Sequence, residues 1–142
     1  MKITVIDGQG GNVGRELAKR IAEEFSAHDI TVIGTNSRAT ETMLKSGVKR
    51  GATGENAVIV AARRADVIVG PLGIVIADSL LGEVSPAMAT AIGSSEAVKI
   101  LLPLNRCDTL IAGVKEPSAA ELIDDAMEKL HRIENGCIGR IS

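Results

Sequence analysis

Short runs of β-branched and aliphatic residues alternate along this chain with longer stretches in which apolar residues recur every three or four positions. Ile3 to Ile6 is apolar or β-branched throughout, the pattern of a strand covered on both faces. From Asn12 to Phe25 the period changes. Leu17, Ile21 and Phe25 recur at i, i+4 and i+8 beside Ala18 and Ala22, and Arg15, Glu16, Lys19, Arg20, Glu23 and Glu24 fill the opposite face, which predicts an amphipathic helix. After Asp29, Ile30 to Gly34 reads as a second buried strand, and Arg38 to Ser46 as a short helix stopped by Gly47. Val48 to Arg50 is a candidate edge strand, and Thr53 a candidate N-cap for a helix from Gly54 to Arg64. Asp66 to Gly70 is the next buried strand. Ser85-Pro86 supplies a cap and a first-turn proline for a helix ending near Gly93. Lys99 to Leu104 reads as a strand, and Thr109 to Val114 follows closely enough to return antiparallel. Ser118 and Glu121 form a capping box for a last helix whose apolar stripe is Leu122, Ala126, Leu130 and Ile133, ended by Asn135-Gly136.

Strands that alternate with helices require right-handed crossovers, which put helices on both faces of a sheet. The expected fold is one doubly wound α/β domain over residues 1–142, its sheet mostly parallel with an antiparallel edge strand.

In such a sheet ligands bind beyond the carboxyl ends of the strands, near the point where strand order reverses. The first strand runs out into Asp7-Gly8-Gln9-Gly10-Gly11-Asn12-Val13-Gly14. Glycines there let backbone N–H groups approach an anion with no Cβ between, and the helix that follows directs its partly positive N-terminus at the same point. The spacing departs from the strict G-x-G-x-x-G fingerprint. Val13 stands where the third glycine would fall, and Gly14 comes one residue late. The Gly-Lys-Ser/Thr ending of a P-loop is absent, which argues against nucleoside-triphosphate hydrolysis by that route. The second strand runs out into Thr35-Asn36-Ser37-Arg38, with no acid before Glu41. An acid at this point takes the ribose 2′-hydroxyl of NAD, and its replacement by arginine or a hydroxyl suits the 2′-phosphate of NADP. The expected cofactor is therefore NADP, with NAD as the alternative. Gly70-Pro71-Leu72-Gly73 follows the third buried strand and is expected to line the nicotinamide side.

Composition narrows the function classes. Net charge is −2, with Lys and Arg scattered, and Phe25 is the only aromatic of the Phe, Tyr and Trp types. A nucleic-acid surface would show a basic stripe and aromatic stacking platforms. The longest apolar stretch, Val67 to Leu81, is interrupted by Gly70, Pro71, Gly73 and Asp78, which excludes it as a membrane span. Met1-Lys2 leads straight into a strand without a leader pattern, and Cys107 and Cys137 are thirty residues apart, without disulfide-framework or metal spacing. Both features point to a cytoplasmic protein with reduced thiols. Asp7 is a weak metal candidate, since no second acid follows it closely, and its expected role is hydrogen bonding within the turn. Cys107 beside Arg106 is a candidate low-pKa thiol. The apolar set Leu72, Ile74, Val75, Ile76, Leu80 and Leu81 is larger than a domain of this size is expected to bury alone, and points to a homo-oligomer.

Ile6-Asp7-Gly8-Gln9-Gly10-Gly11, Gly34-Thr35-Asn36-Ser37, Gly51-Ala52-Thr53-Gly54-Glu55-Asn56-Ala57, Gly70-Pro71-Leu72-Gly73-Ile74 and Asn105-Arg106-Cys107 together resemble a small bacterial family of uncharacterised Rossmann-like proteins. The resemblance spans residues 3–115 and implies a stand-alone cytosolic protein with no assigned activity; it carries over no catalytic residue. The residues themselves support a dinucleotide-binding protein acting as a cofactor-sensing or accessory subunit, or as a small reductase. Without tyrosine, it lacks the Tyr-Lys pair of short-chain reductases. The alternatives are an enzyme acting on another phosphorylated small molecule (a nucleotide, a sugar phosphate or coenzyme A) through Asp7, Arg106 and Cys107, and a structural oligomeric partner.

Overall fold

A computed structural model describes residues 1–104, 108–113 and 115–137. In chain order the elements are β1 (Lys2–Asp7), α1 (Asn12–Glu24), β2 (Asp29–Gly34), α2 (Ser37–Leu44), β3 (Gly51–Thr53), α3 (Glu55–Arg64), β4 (Val67–Pro71), a 3-10 helix (Leu72–Val75), α4 (Pro86–Gly93), β5 (Val98–Leu102) and α5 (Ala119–Glu134). The five strands form one sheet in the order β3-β2-β1-β4-β5, and every pairing is parallel. The chain winds outward from β1 through β2 to β3, then crosses back by α3 to β4 on the other side of β1. Strand order therefore reverses between β1 and β4.

Alternation within β1 assigns its side chains to two cores. Ile3 and Val5 join Leu17, Ala18, Ile21 and Phe25 of the α1 segment, Ala39 and Met43 of α2, and Ile123, Ala126, Met127 and Leu130 of α5. Ile6 on the opposite face joins Ile33 and Ile68, Val58 and Ala62 of α3, and Met88, Ala89 and Ile92 of α4. Helices thus cover both faces, as the alternating pattern requires.

Local capping fixes the helix starts. Ser85 Oγ accepts from the Met88 N–H, and Ser118 and Glu121 form the reciprocal box at α5. The N-cap of α2 is Asn36, whose side chain accepts from the Ala39 N–H at 2.8 Å, so α2 starts at Ser37 rather than Arg38. The N-cap of α3 is Gly54 rather than Thr53. The edge strand expected at Val48 to Arg50 lies three residues later, at Gly51–Thr53. Val48 is instead buried in the α1-side core.

The antiparallel edge strand expected over Thr109 to Val114 is not present among the described residues. Residues 108–113 form turns and irregular backbone, and Val114 lies outside the described part. Its apolar pattern is short, and Leu110 is 91 % exposed, so burial offers this stretch no reason to pair. No described helix is long and apolar enough to cross a membrane.

Candidate functional site

The carboxyl ends of β1, β2 and β4 meet at the reversal point, and the turn after β1 is organised by Asp7. This side chain is 3 % exposed. One oxygen accepts from the Gly8 N–H at 2.8 Å and the other from the Gly14 N–H at 2.7 Å, so a single carboxylate ties both ends of the glycine turn together. Burial raises its pKa above the ordinary carboxylate value. The two N–H bonds oppose that shift, and the nearby Glu83 charge reinforces it. With both oxygens engaged by the turn, Asp7 acts as its tie.

The glycines of the turn have different reasons to be glycine. A Cβ on Gly8 would lie 2.5 Å from Thr35 Oγ1 and 2.8 Å from Leu80 Cδ1. Gly11 has φ +74°, and a Cβ there would lie 2.7 Å from the Ala39 carbonyl oxygen. On Gly14 a Cβ would lie 2.5 Å from Met43 Sδ and 2.7 Å from Asp7 Cβ, so this glycine sets the close approach of α1 to β1 and α2. Gly10 differs: the nearest atom to its would-be Cβ is Asn12 Nδ2 at 3.3 Å, so packing alone demands little there.

Helix α1 begins at Asn12, and its N-cap, Gly11, has no side chain with which to cap it. The first amides of a helix lack intrahelical partners. Gly11 N–H bonds to the Gly8 carbonyl, and Gly14 N–H to Asp7. The N–H groups of Gly10, Asn12 and Val13 are left without a partner among the described residues.

At the end of β2, Ser37 and Arg38 are exposed and make no polar contact among the described residues, whereas Thr35 and Asn36 are engaged. Their partner is a residue that sequence reasoning did not single out. Glu83 lies in the 76–85 segment, which reaches over the glycine turn. Its Oε1 accepts from the Gln9 N–H at 2.9 Å, Thr35 Oγ1 at 2.8 Å and Asn36 Nδ2 at 2.6 Å. Asn36 Nδ2 also donates to the Gln9 carbonyl at 3.0 Å. Burial pushes the Glu83 pKa up, but the donors from Gln9, Asn36 and Thr35 together outweigh it and hold the carboxyl below its ordinary range. A fixed carboxylate thus stands where the sequence shows no acid, delivered from 48 residues beyond Thr35.

The end of β4 is a support rather than an open wall. Gly70, Pro71 and Gly73 are buried and Leu72 is half-buried. A Cβ on Gly70 would collide with the Ile6 carbonyl oxygen of β1. Ser79 Oγ donates to the Gly73 carbonyl and ties the 76–85 segment to this end of the sheet. That segment holds its shape against conformational preference, with Asp78, Leu80 and Leu81 all at φ between 55° and 64°. Of the apolar set expected to face a partner, Ile74 and Leu80 are in the core at 0 % and 2 % exposure, while Leu81 is 99 % exposed. Asn105, Arg106 and Cys107 lie outside the described residues. Among those described, no cluster of three or more His, Cys, Asp or Glu could hold a metal ion.

Doubly wound topology, a glycine turn after β1 and a helix with glycine at its N-cap at the reversal point define a Rossmann-like α/β protein. The chain belongs to the family described as domain of unknown function (DUF3842), which it matches over residues 2–135. Among the curated proteins, none is a significant match to it.

Proposed function

We propose that the protein binds a nucleotide through its phosphates at the glycine turn, in the fullest form a nicotinamide dinucleotide, and acts in the cytoplasm as a cofactor-sensing or accessory subunit or a small reductase. The observation that carries this reading is the set of N–H groups on Gly10, Asn12 and Val13, without partners among the described residues and grouped at the start of α1, where Gly10 is the glycine of the turn that packing crowds least. Backbone donors in this arrangement suit a pyrophosphate. The adenosine end would then extend toward Thr35, Asn36, Ser37 and Arg38, and the far end toward Leu72. The exposed Arg38 guanidinium and Ser37 hydroxyl, without polar contacts among the described residues, support a 2′-phosphate, hence NADP; the Glu83 carboxylate near them supports an unmodified ribose, hence NAD.

A thermal-shift panel of NAD, NADP, ATP, FMN, coenzyme A and sugar phosphates tests the proposal. Stabilisation by a dinucleotide that Gly10→Val abolishes is the expected result, and no shift with any nucleotide would overturn it. A second reading, assembly into a homo-oligomer, is favoured by Leu81, whose side chain is fully offered to solvent close to the candidate site. Light scattering of a micromolar solution tests it, and a clean monomer would refute it.

A further inference from the structure

We infer that Glu83 is the specificity-determining residue of the edge and selects a ligand with a free ribose diol over one carrying a 2′-phosphate. The inference rests on the nucleotide reading above and deepens it.

The hydrogen bonds of this carboxylate are distributed unevenly. All three of its donors, the Gln9 N–H, Thr35 Oγ1 and Asn36 Nδ2, converge on Oε1. Oε2 accepts from none of the described residues. One oxygen anchors the group and the other is an unused acceptor on a half-buried side chain at the end of β2. Anchored through Oε1, the group keeps a charged acceptor at the end of β2 before a ligand arrives.

The chemistry that suits such an acceptor is a hydroxyl donor. The vicinal 2′- and 3′-hydroxyls of a ribose offer two, and a hydrogen bond to an ionised acceptor is stronger than one between neutral groups. A 2′-phosphate would bring a second negative charge to the same oxygen with no proton to share. Arg38 offers partial compensation from the surface, but it is exposed and makes no polar contact among the described residues, whereas Glu83 is held by three bonds. The fixed group decides the preference, so the inference favours NAD over NADP.

Isothermal calorimetry of the full chain with NAD, NADP, ADP and 2′-deoxy-ADP tests this. The wild type is expected to bind NAD about tenfold tighter than NADP, and ADP severalfold tighter than 2′-deoxy-ADP, magnitudes typical of one charge-assisted hydrogen bond in a solvent-accessible site. Glu83→Gln keeps an oxygen for the three donors and replaces the free acceptor by an NH2 group. It should bring the NAD-to-NADP ratio to unity or below and erase the discrimination against 2′-deoxy-ADP. A wild type that prefers NADP, or a folded Glu83→Gln protein with unchanged ratios, would overturn the role of Glu83 and leave nucleotide binding intact. Equal wild-type affinities for ADP and 2′-deoxy-ADP would do the same without any variant. A wild type that binds none of the four would overturn the nucleotide reading itself, and this inference with it.

Discussion

Replacing Asp7 with alanine tests whether one buried carboxylate holds the glycine turn together. The substitution removes the acceptors of the Gly8 and Gly14 N–H groups, bonded at 2.8 Å and 2.7 Å, and leaves both donors in a site from which water is excluded. Hydrogen bonds to a charged group contribute ~1.5–3 kcal/mol each, so the gross loss is about 3–6 kcal/mol. Part of it is returned because alanine carries no charge to desolvate, and burial is the largest influence on Asp7. The net loss should be about 2–4 kcal/mol, which at ~3–4 °C per kcal/mol for a domain of this length lowers Tm by roughly 6–16 °C. Asp7→Asn keeps one acceptor but sets an NH2 group against the other N–H, and should fall between wild type and Asp7→Ala. The pH dependence has a definite sign. Because the folded-state pKa of Asp7 is raised, its ionisation works against folding: its contribution is most favourable below the unfolded value and is lost as pH rises through the folded one. Thermal unfolding followed by circular dichroism at neutral pH measures the loss. An Asp7→Ala protein melting within about 2 °C of wild type would refute the tie.

Gly14→Ala should destabilise by ~1–3 kcal/mol, because its Cβ would lie 2.5 Å from Met43 Sδ and 2.7 Å from Asp7 Cβ; chemical denaturation would show it as a lower midpoint at constant slope. Gly10→Val should behave oppositely, keeping the wild-type midpoint while losing nucleotide binding, since packing leaves space at Gly10 alone within the turn. The Glu83 carboxyl is held below its ordinary range, so its contribution to stability is present above the unfolded value and lost as pH falls through the folded one. A wild-type minus Glu83→Gln stability difference that does not shrink with acidification would contradict this.

Most of the architecture was legible because it rests on periodicity. Strands covered on both faces read as continuous β-branched runs, and β1, β2, β4 and β5 fall within two residues of where those runs lie. The α1 and α5 stripes and the Ser85 and Ser118 caps were equally visible, since a helix stripe and its cap are both local patterns. The errors fall where no burial pattern exists. Strand β3 is three residues long with every residue exposed, so nothing in Gly51-Ala52-Thr53 distinguishes it from loop, whereas the apolar Val48 just before it carries the burial signal of a strand. Residues 109–113 failed in the opposite sense, their aliphatic character suggesting a strand that the sheet does not hold.

At the site, what could be read was whatever the strand ends carry in sequence. Glu83 could not be found that way. It belongs to a stretch without period, its position depends on three positive-φ residues that no propensity favours, and its partners lie 47, 48 and 74 residues away. The absence of an acid just after β2 was a true statement about sequence and an incomplete one about space. The glycine turn shows the same gap between motif and cause. Gly8, Gly11 and Gly14 would be glycines in a protein that binds nothing, because Thr35, Ala39 and Met43 leave no room for a Cβ. A glycine motif therefore argues for a ligand only through the members that packing leaves unexplained. Here that member is Gly10, which together with the Asn12 and Val13 amides, unpaired among the described residues, favours a ligand where the rest of the glycine run does not.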